Sequence, residues 1–91
     1  MEDIRWSQLK SERLKKTRGV SFEDIIAAKL IDIRKHPQKE NQRILVYRYK
    51  GYVWAVPYVI EGDKIFLKTI YPSRKLAKLY KKGDLRSEKS S

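Results

Sequence analysis

Three β-rich runs in close succession constrain this chain more than any other feature: RILVYRYK (43–50), YVWAVPYVI (52–60) and KIFLKTIY (64–71). A Lys50-Gly51 junction separates the first pair and a Glu61-Gly62-Asp63 turn the second. Runs rich in Val, Ile, Tyr, Phe and Trp, bounded by turn residues, satisfy their backbone groups by pairing with one another. Connections this short require antiparallel neighbours. The middle run is apolar on both faces, which predicts a central strand, and Pro57 within it lacks a ladder donor, which predicts a bulge or an unpaired strand end there. Upstream, Ile31 and Ile33 alternate with Asp32 and Arg34, the pattern of a short strand with one wet face, before a KHPQKENQ loop (35–42). The expectation is a four-stranded antiparallel meander.

Helices are expected on either side of it. Ser7 is placed to cap a helix over SQLKSERLKKTR that stops at Gly19, with a thin apolar stripe of Leu9 and Leu14 and with Ile4 and Trp6 packing its entry. Ser21 and Asp24 have capping-box spacing behind Val20, and Phe22, Ile25, Ile26 and Leu30 fall on one face of a second helix. After Pro72, Ser73 caps a last helix with Leu76, Leu79 and Tyr80 inward and a stop at Gly83. The resulting order is ααββββα, an α+β domain over residues 1–83 with a polar, flexible tail at 84–91.

Composition removes several kinds of chemistry. The 91 residues include no Cys and one His, and no GxSxG, so serine-type and cysteine-type triads are absent and no disulfide framework forms. The four glycines stand apart, which excludes a phosphate-binding loop, and His36 is alone beside Pro37, so neither a metal site nor a cofactor is expected. No apolar run approaches the roughly 20 residues of a membrane span, and MEDIRWSQLK lacks the order of a signal peptide. A cytoplasmic protein without membrane attachment is expected. Its net charge of +11 fits a nucleic acid or an acidic protein partner.

The charge is concentrated where the last strand meets the last helix. Residues 64–82 hold seven Lys or Arg and no acid, a field suited to a phosphate chain. A basic surface with few acids suits RNA cleavage by attack of a 2′-hydroxyl on its neighbouring phosphate, which requires positioning, charge stabilisation and proton movement. Lys68, sharing a strand face with Phe66 and Ile70, and Arg74, in the first turn of the last helix, are the first candidates. Tyr71 offers a hydrogen bond or a stacking surface, and Glu23, in the first turn of the second helix, a general base; core packing and helix-dipole electrostatics are their plainer roles. Two other readings use the same patch. One is a non-enzymatic RNA- or DNA-binding module with Trp54 or tyrosines as stacking platforms, which the two-sided apolar character of the Trp54 run argues against. The other is a docking surface for an acidic protein.

IRWSQLK, RGVSFEDI and IFLKTIYPSRKLAKLY, in this order and spacing, resemble the BrnT-type toxins of bacterial and archaeal type II toxin-antitoxin systems, within the wider RelE-like group. The resemblance covers residues 4 to about 82. It implies a RelE-like fold, metal-independent ribonuclease activity that inhibits translation, and neutralisation by a cognate antitoxin. That antitoxin would be a BrnA-like ribbon-helix-helix protein, through which alone the complex contacts operator DNA. Carried onto this sequence, the implied site includes Glu23, Lys68 and Arg74, with Lys10 and Lys75 as phosphate contacts; Tyr71 completes the candidate catalytic set, and Arg18 and Lys78 the candidate RNA contacts. Ser7, Leu14 and Arg18 stand where the family pattern has Asp, Asn and His, so basic-residue chemistry replaces any imidazole role.

Overall fold

The computed structural model describes residues 3–36 and 38–83; the tail expected at 84–91 lies outside them. In chain order the described residues form β1 (Asp3–Arg5), α1 (Gln8–Arg18), α2 (Phe22–Ile26), β2 (Lys29–Lys35), β3 (Gln42–Tyr49), β4 (Tyr52–Glu61), β5 (Lys64–Leu67), β6 (Tyr71–Pro72) and α3 (Arg74–Lys81). The sheet runs β1-β5-β4-β3-β2, and β6 also pairs with β4. The class is α+β with three helices, but the sheet has six strands where four were expected. The extra strand at the start escapes sequence reading because it is three residues long and pairs in parallel with β5, Ile4 against Ile65, some sixty positions away.

The central position of β4 follows from its two apolar faces. Val56 and Tyr58 pack with Phe22, Ile25, Leu14 and Leu67 under α1 and α2, while Val53 and Ala55 pack with Ile31, Val46 and Leu76 under α3. The sheet is thus covered by helices on both sides. Lys50 and Gly51, with φ of 53° and 73°, form the two-residue turn that brings Tyr49 opposite Tyr52, the geometry hairpins favour because it matches strand twist.

Pro57 does not bulge its own strand: its register with Ile44 of β3 is unbroken. The irregularity falls in the partner. Between the Tyr58–Leu67 and Ala55–Tyr71 pairs, β4 advances three residues while the opposite segment advances four. The Pro57 carbonyl accepts from the Lys68 N–H at 2.8 Å, so the missing Pro57 N–H faces this interrupted stretch and leaves no ladder partner stranded. The extra residue overturns one expectation. Lys68 is not on a strand face shared with Phe66 and Ile70; β5 ends at Leu67, Phe66 is partly exposed, Ile70 is fully buried under the α1 side, and Lys68 is exposed in the break.

A similar slip occurs in β2. The register shifts between Leu30 and Asp32, so Ile31 and Asp32 both belong to the α3 side while Ile33, 47% exposed, pairs with Leu45 on the other. Asp32, expected on a wet face, is therefore buried, while Arg34 on the same face stays partly exposed. The helices also differ in detail. Gly19, in the left-handed conformation at φ 78°, ends α1 as expected, and both bonds of the Ser21–Asp24 capping box form. However, α2 ends after five residues, which leaves Leu30 in β2 and 45% exposed. Leu9 does not contribute to the α1 stripe, being 74% exposed; buried Ser11 joins Leu14 there instead. Trp6 stacks at a tilt on Phe22 with centroids 6.0 Å apart, anchoring the entry to α1.

Candidate nucleic-acid interface

The side chains singled out in the sequence fall into three places. At the α1–α2 junction, the Ser11 hydroxyl donates to Glu23 Oε1 at 2.6 Å and accepts from the Phe22 N–H at 2.9 Å. This bond first, then the N–H of Glu23 itself, holds the Glu23 carboxyl below its ordinary range against the opposing effect of burial, with lesser help from Gln8 and Ser21. Asp24 is likewise depressed, first by the Lys15 ammonium at 2.7 Å and then by the Ser21 backbone. Lys10 lies next to Ser11 in the first turn of α1, exposed, its N–H capped by the Ser7 hydroxyl.

The second place is the interrupted edge of β4. Arg18, in the last turn of α1, donates from its guanidinium to the Ile70 carbonyl and so ties α1 to the break that carries Lys68. The break itself follows the edge of β4, from the Lys68 N–H on Pro57 to the Ser73 N–H on the Val53 carbonyl at 3.1 Å. Ser73 then turns the chain into α3, its hydroxyl accepting from the Leu76 N–H at 3.1 Å. Exposed Arg74 opens that helix with no acid in the first turn, and exposed Lys78 lies in the last.

The third place is a groove between α3 and β2. Tyr71, 36% exposed, and Lys75 line it on one side and Arg34 and Lys35 on the other. The α3 side of the sheet thus gathers Tyr71, Arg74, Lys75 and Lys78, continuous in sequence with Lys68, whereas Glu23 and Lys10 occupy the opposite side. Among the described residues no hydrogen bond or ion pair joins Glu23 to those cations. Arg34 and Asp32 were absent from the sequence candidates, because the alternating pattern of β2 gives no sign of the bulge that turns them toward α3.

The aromatic side chains behave largely as core. Trp54 is half-buried and its Nε1–H donates to the Tyr49 carbonyl at 3.1 Å, with Tyr52 edge-on at 6.3 Å. It is not an open stacking platform. Tyr71 is the aromatic that meets the basic groove.

No protein-family model and no curated protein matches the sequence. Among solved structures, the Brucella abortus ribonuclease toxin BrnT is similar, with a TM-score of 0.52, 18% identity, and coverage of 80% of this chain and 97% of that one. The fold is BrnT-type. In this BrnT-type fold the strand-break-helix segment at 64–81 supplies both the edge of the central strand and the α3 layer, so the most basic part of the sequence is built into the sheet and not appended to it. Among the described residues no helix is long and apolar enough to cross a membrane.

Proposed function

We propose that this chain is the toxin of a type II toxin-antitoxin pair, a ribonuclease that stops translation by cutting RNA without a metal. The observation that supports the reading best is the joining of a BrnT-type fold to an acid-free run of cations, Lys68, Arg74, Lys75 and Lys78, around half-exposed Tyr71. In this reading the RNA 2′-hydroxyl gives up its proton to a general base as its oxygen attacks the adjacent phosphorus, and the 5′-oxygen of the next nucleotide leaves with a proton delivered to it, so the step is neutral in protons. The products are a 2′,3′-cyclic phosphate and a 5′-hydroxyl end. Lys68 and Arg74 hold the phosphate and offset the charge that grows on its oxygens. Tyr71 donates a hydrogen bond or stacks on a base, and Lys75 and Lys78 contact flanking phosphates, while Lys10, across the sheet, meets only a strand that passes round its edge. Arg18 acts by holding the break at Ile70.

For Glu23 two roles are separable. As an ionised carboxylate bonded to Ser11 it locks α1 to α2; as a general base it would accept the 2′-hydroxyl proton only from a strand that passes round the sheet edge at Lys68 to the α1–α2 side. Glu23→Gln keeps an acceptor for Ser11 but takes up no proton. The activity is cytoplasmic in this account and is silenced by a cognate antitoxin, a BrnA-like ribbon-helix-helix protein that brings the complex to operator DNA.

Purified protein incubated with RNA in excess chelator tests the reaction. Fragments ending in 2′,3′-cyclic phosphate are expected. Intact RNA from folded protein, or fragments that need a divalent cation, would refute it.

A further inference from the structure

Asp32 is a carboxylate buried to 7% exposure on the α3 side of the sheet, and nothing in the proposed reaction uses it. Taking a carboxylate out of water is unfavourable unless it is paired and hydrogen-bonded. Its partners are the Ile33 N–H at 2.8 Å and Arg34 Nη1 at 3.4 Å. The bulge at Ile31 puts it there, and its ion pair with Arg34 is lopsided: the Arg34 side chain is 41% exposed and the carboxylate 8%. Among the described residues only one of the five guanidinium donors is engaged, and the side chain borders the groove between β2 and α3.

The groove has a cation on each wall, Arg34 across from Lys75, an apolar floor of Ile44 and Leu76, half-exposed Tyr71, and no acid along its lining. Cations on two walls select a polyanion. An apolar floor beside an accessible tyrosine suits an unstacked base of a single strand better than a duplex. We propose that this groove is a track for single-stranded RNA in which Arg34, oriented by the buried Asp32, binds a backbone phosphate opposite Tyr71 and Lys75. Arg34 is the binding residue and Asp32 its positioning residue. The assignment rests on the reading that the chain acts on RNA and extends it to a wall of the site contributed by β2.

The test uses a labelled single-stranded 2′-O-methyl RNA, which cannot be cleaved, titrated with the full chain at several salt concentrations. Arg34→Gln is expected to bind roughly tenfold more weakly and with a salt slope shallower by about 0.7, the value for one lost contact to a single strand. Asp32→Asn keeps the Arg34 charge, so its slope stays while its affinity falls. Lys16→Gln, on α1 across the sheet, controls for loss of a charge elsewhere. Unchanged affinity and slope in Arg34→Gln, a loss matched by Lys16→Gln, or displacement of the RNA by polyglutamate at equal charge would overturn the assignment. Should Asp32→Asn not fold, Arg34→Gln decides alone. Tight, Arg34-dependent binding without cleavage of ordinary RNA would refute the ribonuclease reading and leave the groove standing. Cleavage with binding indifferent to Arg34 would do the reverse.

Discussion

The guanidinium of Arg18 donates to the carbonyl of Ile70, fastening the last turn of α1 to the break between β5 and β6. One contact thereby joins the helix layer on one side of the sheet to the segment that delivers Lys68 and Tyr71 to its edge. Arg18→Ala should lower stability by only about 1 kcal/mol, the scale of one partly exposed hydrogen bond, yet reduce RNA cleavage by tenfold or more, since reacting groups tolerate little misplacement. Hydrogen exchange at the amides of 68–71 should quicken in the variant. Unchanged exchange there with reduced RNA affinity would make Arg18 a direct RNA contact.

Ser11 is the buried pivot of the α1–α2 junction. Ser11→Ala removes the donor to Glu23 and the acceptor for the Phe22 N–H, so about 1–3 kcal/mol should be lost. Leu9→Ala, two residues earlier on the opposite face of α1 and 74% exposed, should change stability by less than about 0.5 kcal/mol. Urea midpoints of the two variants check both, and a larger loss at Leu9 would contradict the orientation of α1.

The same junction sets an acid limit on stability. Glu23 and Asp24 have folded pKa values below their ordinary 4.5 and 3.8, so on acidification the unfolded chain takes up protons first and folding weakens. Their contribution is fully present above those ordinary values and disappears as pH falls through the lower folded ones. Both groups are close to solvent, so the effect is modest. Denaturation midpoints should drop between pH 6 and pH 3, and drop less in a Glu23→Gln, Asp24→Asn double variant. An equal drop in both proteins would remove the junction from the acid response.

Much of the architecture is legible in the residues because local rules and tertiary packing agree there. Gly19 ends α1, the Ser21–Asp24 box starts α2, Ser73 starts α3, and the two-sided apolar run becomes the central strand. Two of the misses share one cause: a slip of a single residue, invisible to a period-two pattern. The slip at Ile31 buried Asp32 and exposed Ile33, and the extra residue opposite Pro57 removed Lys68 from the strand face it was given. Three-residue β1 carries too little pattern to be read, and its parallel partner is remote. Of the groove lining, Tyr71 and Lys75 could be read as neighbours because they lie four residues apart in one segment. Arg34 could not, because only the folded sheet brings it to the groove.

The central claim is RNA cleavage carried by the strand-break-helix segment, and induced expression in a bacterial host of the wild type beside Lys68→Ala and Arg74→Ala tests it most directly. Growth arrest with fragmented RNA in the wild type, abolished in both variants while their melting temperatures stay close to it, is the predicted result. Uninterrupted growth with intact RNA, from wild-type protein shown to be soluble and folded, would contradict the account.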